Sequence, residues 1–357
     1  MKHLLDIGNF SVEEIDSLMK VAGDIIDNPA KYAHACEGKK LSTLFFEAST
    51  RTRMSFEAAM YELGGHVITM AGASTSSASK GESVADTAKV VSCYADIIAM
   101  RHPKEGAAYV ASQNASVPVI NAGDGGHWHP TQTLADLFTI KREKGRLDNL
   151  TVGFCGDLKY GRTVHSLIAA LSRYKGIRFV LISPEELKLP GYVIDKDIRP
   201  AGLEYAETAG LDSALPELDV LYMTRIQKER FSDPAEYNRL KDSYVLDVRN
   251  MALAPDDMIV LHPLPRVNEI SVAVDADPRA CYFKQVLNAK YMRMALILKL
   301  LAERDNPTNI LPFTGASAGK YKCVNPRCIT ASEQELPQLF TPDGRCIYCE
   351  NTGAAGF

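Results

Sequence analysis

The sequence predicts an α/β protein of two domains, each a parallel sheet flanked by helices, followed by a small C-terminal module built around four cysteines. Three observations carry that expectation. Apolar runs of strand length alternate with helix-period segments almost throughout, the pattern of parallel strands joined by crossover helices. The 357 residues are enough for two or three domains, and 46% hydrophobic with 24% charged residues is ordinary globular composition. Four of the eight cysteines crowd the end of the chain.

In chain order, strands are expected at LSTLFF (41–46), HVITM (66–70), DIIAM (96–100), VPVIN (117–121), LTVGFC (150–155), IRFVLI (177–182), LDVLYM (218–223), SYVLDV (243–248) and MIVLH (258–262). The segment MSFEAAMYELGG between the first two illustrates the helices: Phe56, Ala59, Met60 and Leu63 recur at i, i+3, i+4 and i+7, and Gly64 supplies a stop. AGASTSSASKGES (71–83), small and polar, predicts a mobile loop that carries Lys80. Near NPTNILPFTGASAG (306–319) Pro, Gly and Ser replace periodicity and mark a boundary.

Composition excludes several classes of function. The opening MKHLLDIGNF lacks the apolar core of a secretory signal, and the greasy stretch MRMALILKLL is broken by Arg293 and Lys299, so a cytoplasmic protein without a membrane partner is expected. A formal net charge of -4 gives no support for a general nucleic-acid binder. Cys36, Cys93, Cys155 and Cys281 follow no spacing and read as small apolar residues in a reducing compartment. Cys323, Cys328, Cys346 and Cys349 form C-x4-C then C-x2-C, two thiolate pairs for one tetrahedral structural zinc per chain. Four thiolates leave that metal no open position for chemistry.

Polar chemistry follows the sheets. ASTRTR, MRHP, NAGDGGHWHPTQ, CGDLKYGRT, TRIQKER and HPLPR all stand at the carboxyl ends of expected strands, where open α/β sheets bind ligands. STRTR follows a strand and opens a helix, so outward backbone N–H groups, the helix dipole, the hydroxyls of Ser49, Thr50 and Thr52 and the fork of Arg51 make an anion cradle. The spacings of a P-loop and of a dinucleotide fingerprint are absent, so a nucleotide is not the first expectation; no organic cofactor is expected. His129 suits polarisation of a carbonyl oxygen, with Gln132 placed to read an amide beside it. Arg162 and Arg225, well separated, suit a substrate with two carboxylates. The extended turn HPLP after His262 offers backbone carbonyls.

Taken together, ASTRTR, MRHP, HPTQTLADLF, GDLKYGRTVHS, TRIQKER and HPLPRV, in that order, resemble the aspartate carbamoyltransferase family over residues 1 to 305. STRTR alone does not separate it from ornithine carbamoyltransferase; HPLP and TRIQKER, where the sister family typically carries HCLP and an SMG loop, favour aspartate. The resemblance implies transfer of a carbamoyl group from carbamoyl phosphate to L-aspartate in pyrimidine biosynthesis. It implies that Ser49, Thr50, Arg51, Thr52 and Arg101 hold phosphate, with Ser76 and Lys80 reaching in from a neighbouring subunit of a trimer or larger assembly. Thr52, Arg101 and His129 would polarise the carbamoyl carbonyl, while Gln132 and the backbone carbonyls of Pro263 and Leu264 bind its amide. Arg162, Arg225, Gln227 and Lys80 would hold aspartate. Domains are expected at 1–132 with a returning helix at 285–304, at 133–284, and at 306–357. The tail, through CVNPRC and CIYC, resembles the zinc domain of that family's regulatory chain, without its nucleotide-binding domain. The alternatives are a carbamoyltransferase for another amino acid such as ornithine, an inactive scaffold, and a tail that binds nucleic acid. Three acidic residues against one Arg between Cys328 and Cys346 disfavour the last.

Overall fold

A computed structural model describes residues 2–72, 77–226, 233–240, 242–304 and 321–355. The chain forms two units, Met1–Thr131 with Lys290–Phe357, and Gln132–Ala289. The first contains a four-stranded parallel sheet of β1 (Lys40–Phe45), β2 (His66–Ala71), β3 (Ile97–His102) and β4 (Val119–Asp124) in the order β2-β1-β3-β4. Around it lie helices α1 (Val12–Asp27), α2 (Thr50–Glu62), α3 (Val84–Ser92) and α4 (Ala107–Asn114). β4 begins two residues later than its apolar run because Pro118 has no N–H to donate; its carbonyl instead accepts from Ile98 N. In α2 the residues Phe56, Ala59 and Met60 are buried, as the 3.6-residue period predicts. Gly64 ends the turn at φ +79°, where a Cβ would lie 2.4 Å from the Ala33 carbonyl oxygen.

The second unit is a five-stranded parallel sheet, β7-β6-β5-β8-β9, formed by β5 (Thr151–Cys155), β6 (Arg178–Ile182), β7 (Glu204–Thr208), β8 (Val220–Met223) and β9 (Ile259–Leu261). Helix α5 (Pro130–Lys144) carries the chain from the first unit into the second, α6 (Arg162–Leu171) follows β5, and α7 (Tyr282–Ala302) returns it. The greasy stretch lies in α7. Its Arg293 is buried against the Phe56 ring and donates to Ser55 Oγ at 2.8 Å. Among the described residues no helix is long and apolar enough to cross a membrane.

Two strand assignments change. SYVLDV is not a strand: Leu246 makes one isolated bridge to Ile270, and Asp247 caps a short helix, Val248–Met251, by accepting from Arg249 N and Asn250 N. A local cap outcompetes the sheet there. Conversely, β7 reads EYAET and escapes detection because an edge strand exposes one face and needs no apolar run.

The tail packs within the first unit. Its short strands β10 (Tyr321–Lys322) and β11 (Ala354–Ala355) pair antiparallel. Cys328, Ile329, Phe340, Cys346, Tyr348 and Cys349 join a single apolar cluster with Phe46, Val84, Ala88, Met100 and Val110. The tail therefore borrows the core it is too small to build. Backbone hydrogen bonds run from Glu105 N to Arg327 O and from Ile329 N to Glu105 O, both 2.9 Å. The buried Glu105 carboxylate accepts from Asn325 Nδ2 at 2.6 Å and faces Arg327 Nε at 3.4 Å. Burial disfavours charge on His127, yet Asp124 and the tail's Glu350 hold its pKa up to about 9. At Gly106, φ is +86° and an added Cβ would lie 2.5 Å from Tyr348 Cβ. Gly106→Ala is therefore expected to lower stability by about 1–3 kcal/mol, read as a thermal shift with loss of tail contacts. An unchanged midpoint would show that Tyr348 does not press on this backbone in solution.

Candidate active site

Each sheet places its polar loops at a topological switch point. In the first unit the chain order reverses between β1 and β3, whose ends are paired Phe45 to Arg101. Phe46 N–H donates to the Arg101 carbonyl at 2.9 Å, bringing STRTR beside MRHP. A crevice opens beyond the carboxyl ends of such strands because the following helices go to opposite faces. Ser49 precedes α2 without making a side-chain cap, so its hydroxyl is not consumed by helix initiation. Thr52 is buried on the first turn, and Arg51 and Thr50 are exposed.

Arg101 and His129 come together in the same unit. Arg101 Nη1 donates to the Ala122 carbonyl at 3.4 Å and stands 3.5 Å from His129 Nε2, while Nη2 meets Glu47 Oε1 at 2.6 Å. Burial lowers the Arg101 pKa and Glu47 works against that shift. Any anion binding Arg101 must therefore compete with Glu47. Thr131 Oγ1 stands 3.4 Å from His129 Nδ1 and helps orient the ring.

In the second unit the switch point lies between β5 and β8, paired Cys155 to Met223. Gly156 makes their close approach possible: a Cβ there would sit 2.4 Å from the Thr224 carbonyl oxygen, at φ +118°. Thr224 Oγ1 donates to the Cys155 carbonyl at 3.1 Å and accepts from Asp157 N at 3.0 Å. These bonds set Arg225, after β8, next to the loop that leads to Arg162 at the start of α6. Both arginines are half-buried.

Gln132 donates through Nε2 to Asp136 Oδ1 at 2.7 Å. Asp136 is fully buried and also accepts from Gln285 Nε2 at 2.6 Å and Tyr222 OH at 3.0 Å. This fixes the Gln132 amide by its nitrogen, leaving its oxygen suited to accept from a ligand N–H. At HPLP the backbone is not simply extended, as the sequence suggests, but folded: Leu264 has φ +53° and the Leu264–Pro265 peptide is cis. Leu264 N donates to His262 Nδ1 at 2.7 Å, so the imidazole proton lies on Nε2, 2.8 Å from Glu269 Oε1. Burial raises the Glu269 pKa, but His262 and the Val267 N–H outweigh it and the net shift is downward. His262 thus shapes the turn that presents the carbonyls of Pro263 and Leu264.

Lys80 ends a 3-10 turn, Ser77–Lys80, and is exposed. Ser76 and Gln227 lie outside the described residues. Glu47, Asp136 and Glu269, which position the cations and amides, were not singled out in the sequence. Of these only Asp136 has a local signal, its i+4 spacing from Gln132 on one helix face.

The sulfurs of Cys323 and Cys349 stand 3.6 Å apart, those of Cys328 and Cys346 3.9 Å, and all four lie within 4.8 Å of one another. A disulfide needs about 2.0 Å. Thiolates about 2.3 Å from one tetrahedral metal stand about 3.8 Å apart, so the cluster fits a metal ion.

Two parallel-sheet units, each with arginine-bearing loops at its switch point, suit small anionic ligands. Sequence models of the carbamoyl-phosphate-binding and Asp/Orn-binding domains of aspartate/ornithine carbamoyltransferases match residues 2–142 and 148–300. The aspartate carbamoyltransferase catalytic subunit of Lachnoclostridium phytofermentans is 61% identical over 301 residues, 84% of this chain and 98% of its own. That of Clostridium botulinum (strain Loch Maree) is 58% identical over 303 residues, 85% and 99%. The solved catalytic subunit of M. jannaschii aspartate transcarbamoylase is 48% identical, with a TM-score of 0.80 over 86% of this chain and 100% of that one. The Trypanosoma cruzi enzyme in complex with carbamoyl phosphate and aspartate is 39% identical, with a TM-score of 0.79 over 84% and 96%. The chain belongs to the aspartate carbamoyltransferase family and is a carbamoyl-group transferase acting on aspartate. Residues 321–355, with the four cysteines, lie beyond both matched domains.

Proposed function

We propose that the loops beyond the two sheets divide the substrates, the phosphate of carbamoyl phosphate going to the first switch point and aspartate to the second. Ser49, Thr50, Arg51, Thr52 and Arg101 hold the phosphate. Thr52, Arg101 and His129 face the carbamoyl oxygen, and Gln132 with the carbonyls of Pro263 and Leu264 takes its amide hydrogens. Arg162, Arg225 and Gln227 hold the aspartate carboxylates. Lys80 and Ser76 complete the site from a neighbouring chain, so the active protein is at least a trimer. The observation that carries this reading is that every described member apart from Lys80 lies at the carboxyl end of a parallel strand or in the loop or first helical turn that follows one.

The chemistry asks little acid or base from the protein. The aspartate amine attacks the carbamoyl carbon, forming a C–N bond and an oxyanion that Thr52, Arg101 and His129 stabilise. The C–O bond to phosphate then breaks, and the departing phosphate takes the proton released by the amine. Both substrates are anions, so the cations must offset their repulsion before the reacting atoms approach to about 3–3.5 Å.

Lys80 is exposed, and Met54 and Tyr61 on α2 and Ile68 on the edge strand β2 leave large apolar side chains uncovered, which supports association through this unit. The cysteine cluster holds one zinc ion, supplying fold stability and no chemistry, in a tail related to the zinc domain of a regulatory chain. Purified protein should release phosphate from carbamoyl phosphate only with aspartate present; a preference for ornithine would overturn the substrate reading. Arg225→Ala should raise KM for aspartate at a cost of about 2 kcal/mol, the lower end for a charge-assisted pair because the residue is half-exposed. If KM for carbamoyl phosphate rose instead, Arg225 would belong to the other substrate.

A further inference from the structure

The tail does more than cover the first unit. Glu333, five residues beyond the metal-site residue Cys328, accepts a hydrogen bond at Oε1 from Val84 N at 2.7 Å. Val84 is the first residue of α3, and its N–H is one of the donors that a helix leaves without an internal partner. Ser83 caps the helix two positions further on by accepting from Asp86 N. A carboxylate from 249 residues away thus adds a second cap to α3.

Only Gly81, Glu82 and Ser83 separate that helix end from Lys80, and they are pinned. Gly81 N donates to Ala78 O at 3.0 Å and Glu82 N to Ser77 O at 3.3 Å. Thr87 Oγ1, inside α3, donates to Glu82 Oε1 at 2.7 Å. Ala78 and Ala85 pack on the apolar cluster that contains Ile329 and Phe340 of the tail. Glu333 Oε2 is buried and has no hydrogen-bond partner among the described residues, which is a cost accepted for the one bond its other oxygen makes.

We propose that Glu333 is a positioning residue for the reaction: by capping α3 it fixes the turn that carries Lys80, so the metal-bearing tail sets the reach of that lysine. The inference rests on the reading that Lys80 acts on substrate in a neighbour's site. Losing the cap frees the turn to populate other arrangements, and cap loss corresponds to about a fivefold change in population. The tail then acts on catalysis without touching substrate.

The test measures Glu333→Ala alongside Glu333→Gln, whose amide oxygen still accepts from Val84 N, with zinc content per chain determined for both. Glu333→Ala should keep one zinc per chain, lose about fivefold in kcat and raise KM for aspartate, and Glu333→Gln should restore both. Val84→Pro approaches the same bond from the other side. Proline is tolerated at the first helical position, and Ser83 already has the extended backbone it requires, so the N–H is removed without a backbone change, and a ring replaces the buried Val84 side chain. It should reproduce the Glu333→Ala kinetics, and it decides the matter if Glu333→Ala fails to fold. Mixed trimers then locate the defect. With Arg51→Ala chains, hybrid sites pair an intact Arg51 with a well-held Lys80, so turnover per competent site should return to the wild-type value. With Lys80→Ala chains it should stay at the Glu333→Ala value. Wild-type kinetics in both Glu333→Ala and Val84→Pro, or no recovery with Arg51→Ala chains, would overturn the proposal. A control mixture of Lys80→Ala with Arg51→Ala distinguishes the underlying reading. If verified hybrids of that pair recover nothing, the shared site falls, and Glu333 is then judged on its kcat and its rescue by Gln alone.

Discussion

Arg101→Ala is expected to lower kcat by about 10²–10³, the loss that accompanies removal of one preorganised donor to a developing oxyanion, and to raise KM for carbamoyl phosphate as well. The double effect comes from its place at the junction of phosphate and carbonyl. One guanidinium meets Ala122 O, His129 Nε2 and Glu47 Oε1 at once, and its burial keeps water from substituting for it. Alanine would also leave the Glu47 carboxylate without its partner in a site that receives a strongly anionic transition state. Lysine should not rescue the loss, since a single ammonium cannot reproduce the planar fork that reaches the Ala122 carbonyl and Glu47 at once. Steady-state kinetics on both variants, with thermal unfolding to confirm the fold, decide the point. A loss below tenfold in a folded Arg101→Ala protein would move Arg101 out of the reacting centre.

The cationic half of the site was legible in the sequence because each cation sits within a few residues of a buried strand, and buried strands announce themselves. The strands before ASTRTR, MRHP and TRIQKER are rich in apolar residues and buried over most of their length, as parallel strands covered on both faces must be. The carboxylates were not legible. Glu47 meets Arg101 across the β1–β3 pairing, and Glu269 meets His262 across a folded turn, so neither has a partner at a readable sequence spacing. For the same reason SYVLDV looked like a strand, since the cap between Asp247 and Asn250 is invisible to an apolar count. The tail illustrates the limit most clearly. Its cysteine spacing was readable, but its seat depends on Glu105, Gly106 and Val84, none of which carries a motif.

Cys346→Ser is expected to reduce zinc to well below one equivalent per chain and to cost several kcal/mol of stability, because metal binding to four thiolates supplies much of the folding free energy of so small a module. The damage reaches past the tail. Cys346 is buried in the same apolar cluster as Phe46, Val84 and Met100, so losing the metal does not release an independent appendage but opens one side of the first unit's core. Each kcal/mol lost by a unit of this size lowers the thermal midpoint by about 2–4 °C, so a shift of about 10 °C is expected. A strong chelator should produce the same shift in the wild-type protein and none in the variant. Activity obeys a tighter limit. Four thiolates would leave the proposed zinc no position open to substrate, and the one path proposed from tail to chemistry runs through Glu333, so zinc loss should reduce kcat no further than Glu333→Ala does while the assembly persists. Zinc remaining at one equivalent in Cys346→Ser would remove Cys346 from the ligand set. Chemistry abolished outright in a still-assembled, zinc-free protein would mean that the metal reaches the reaction by a route other than the cap on α3.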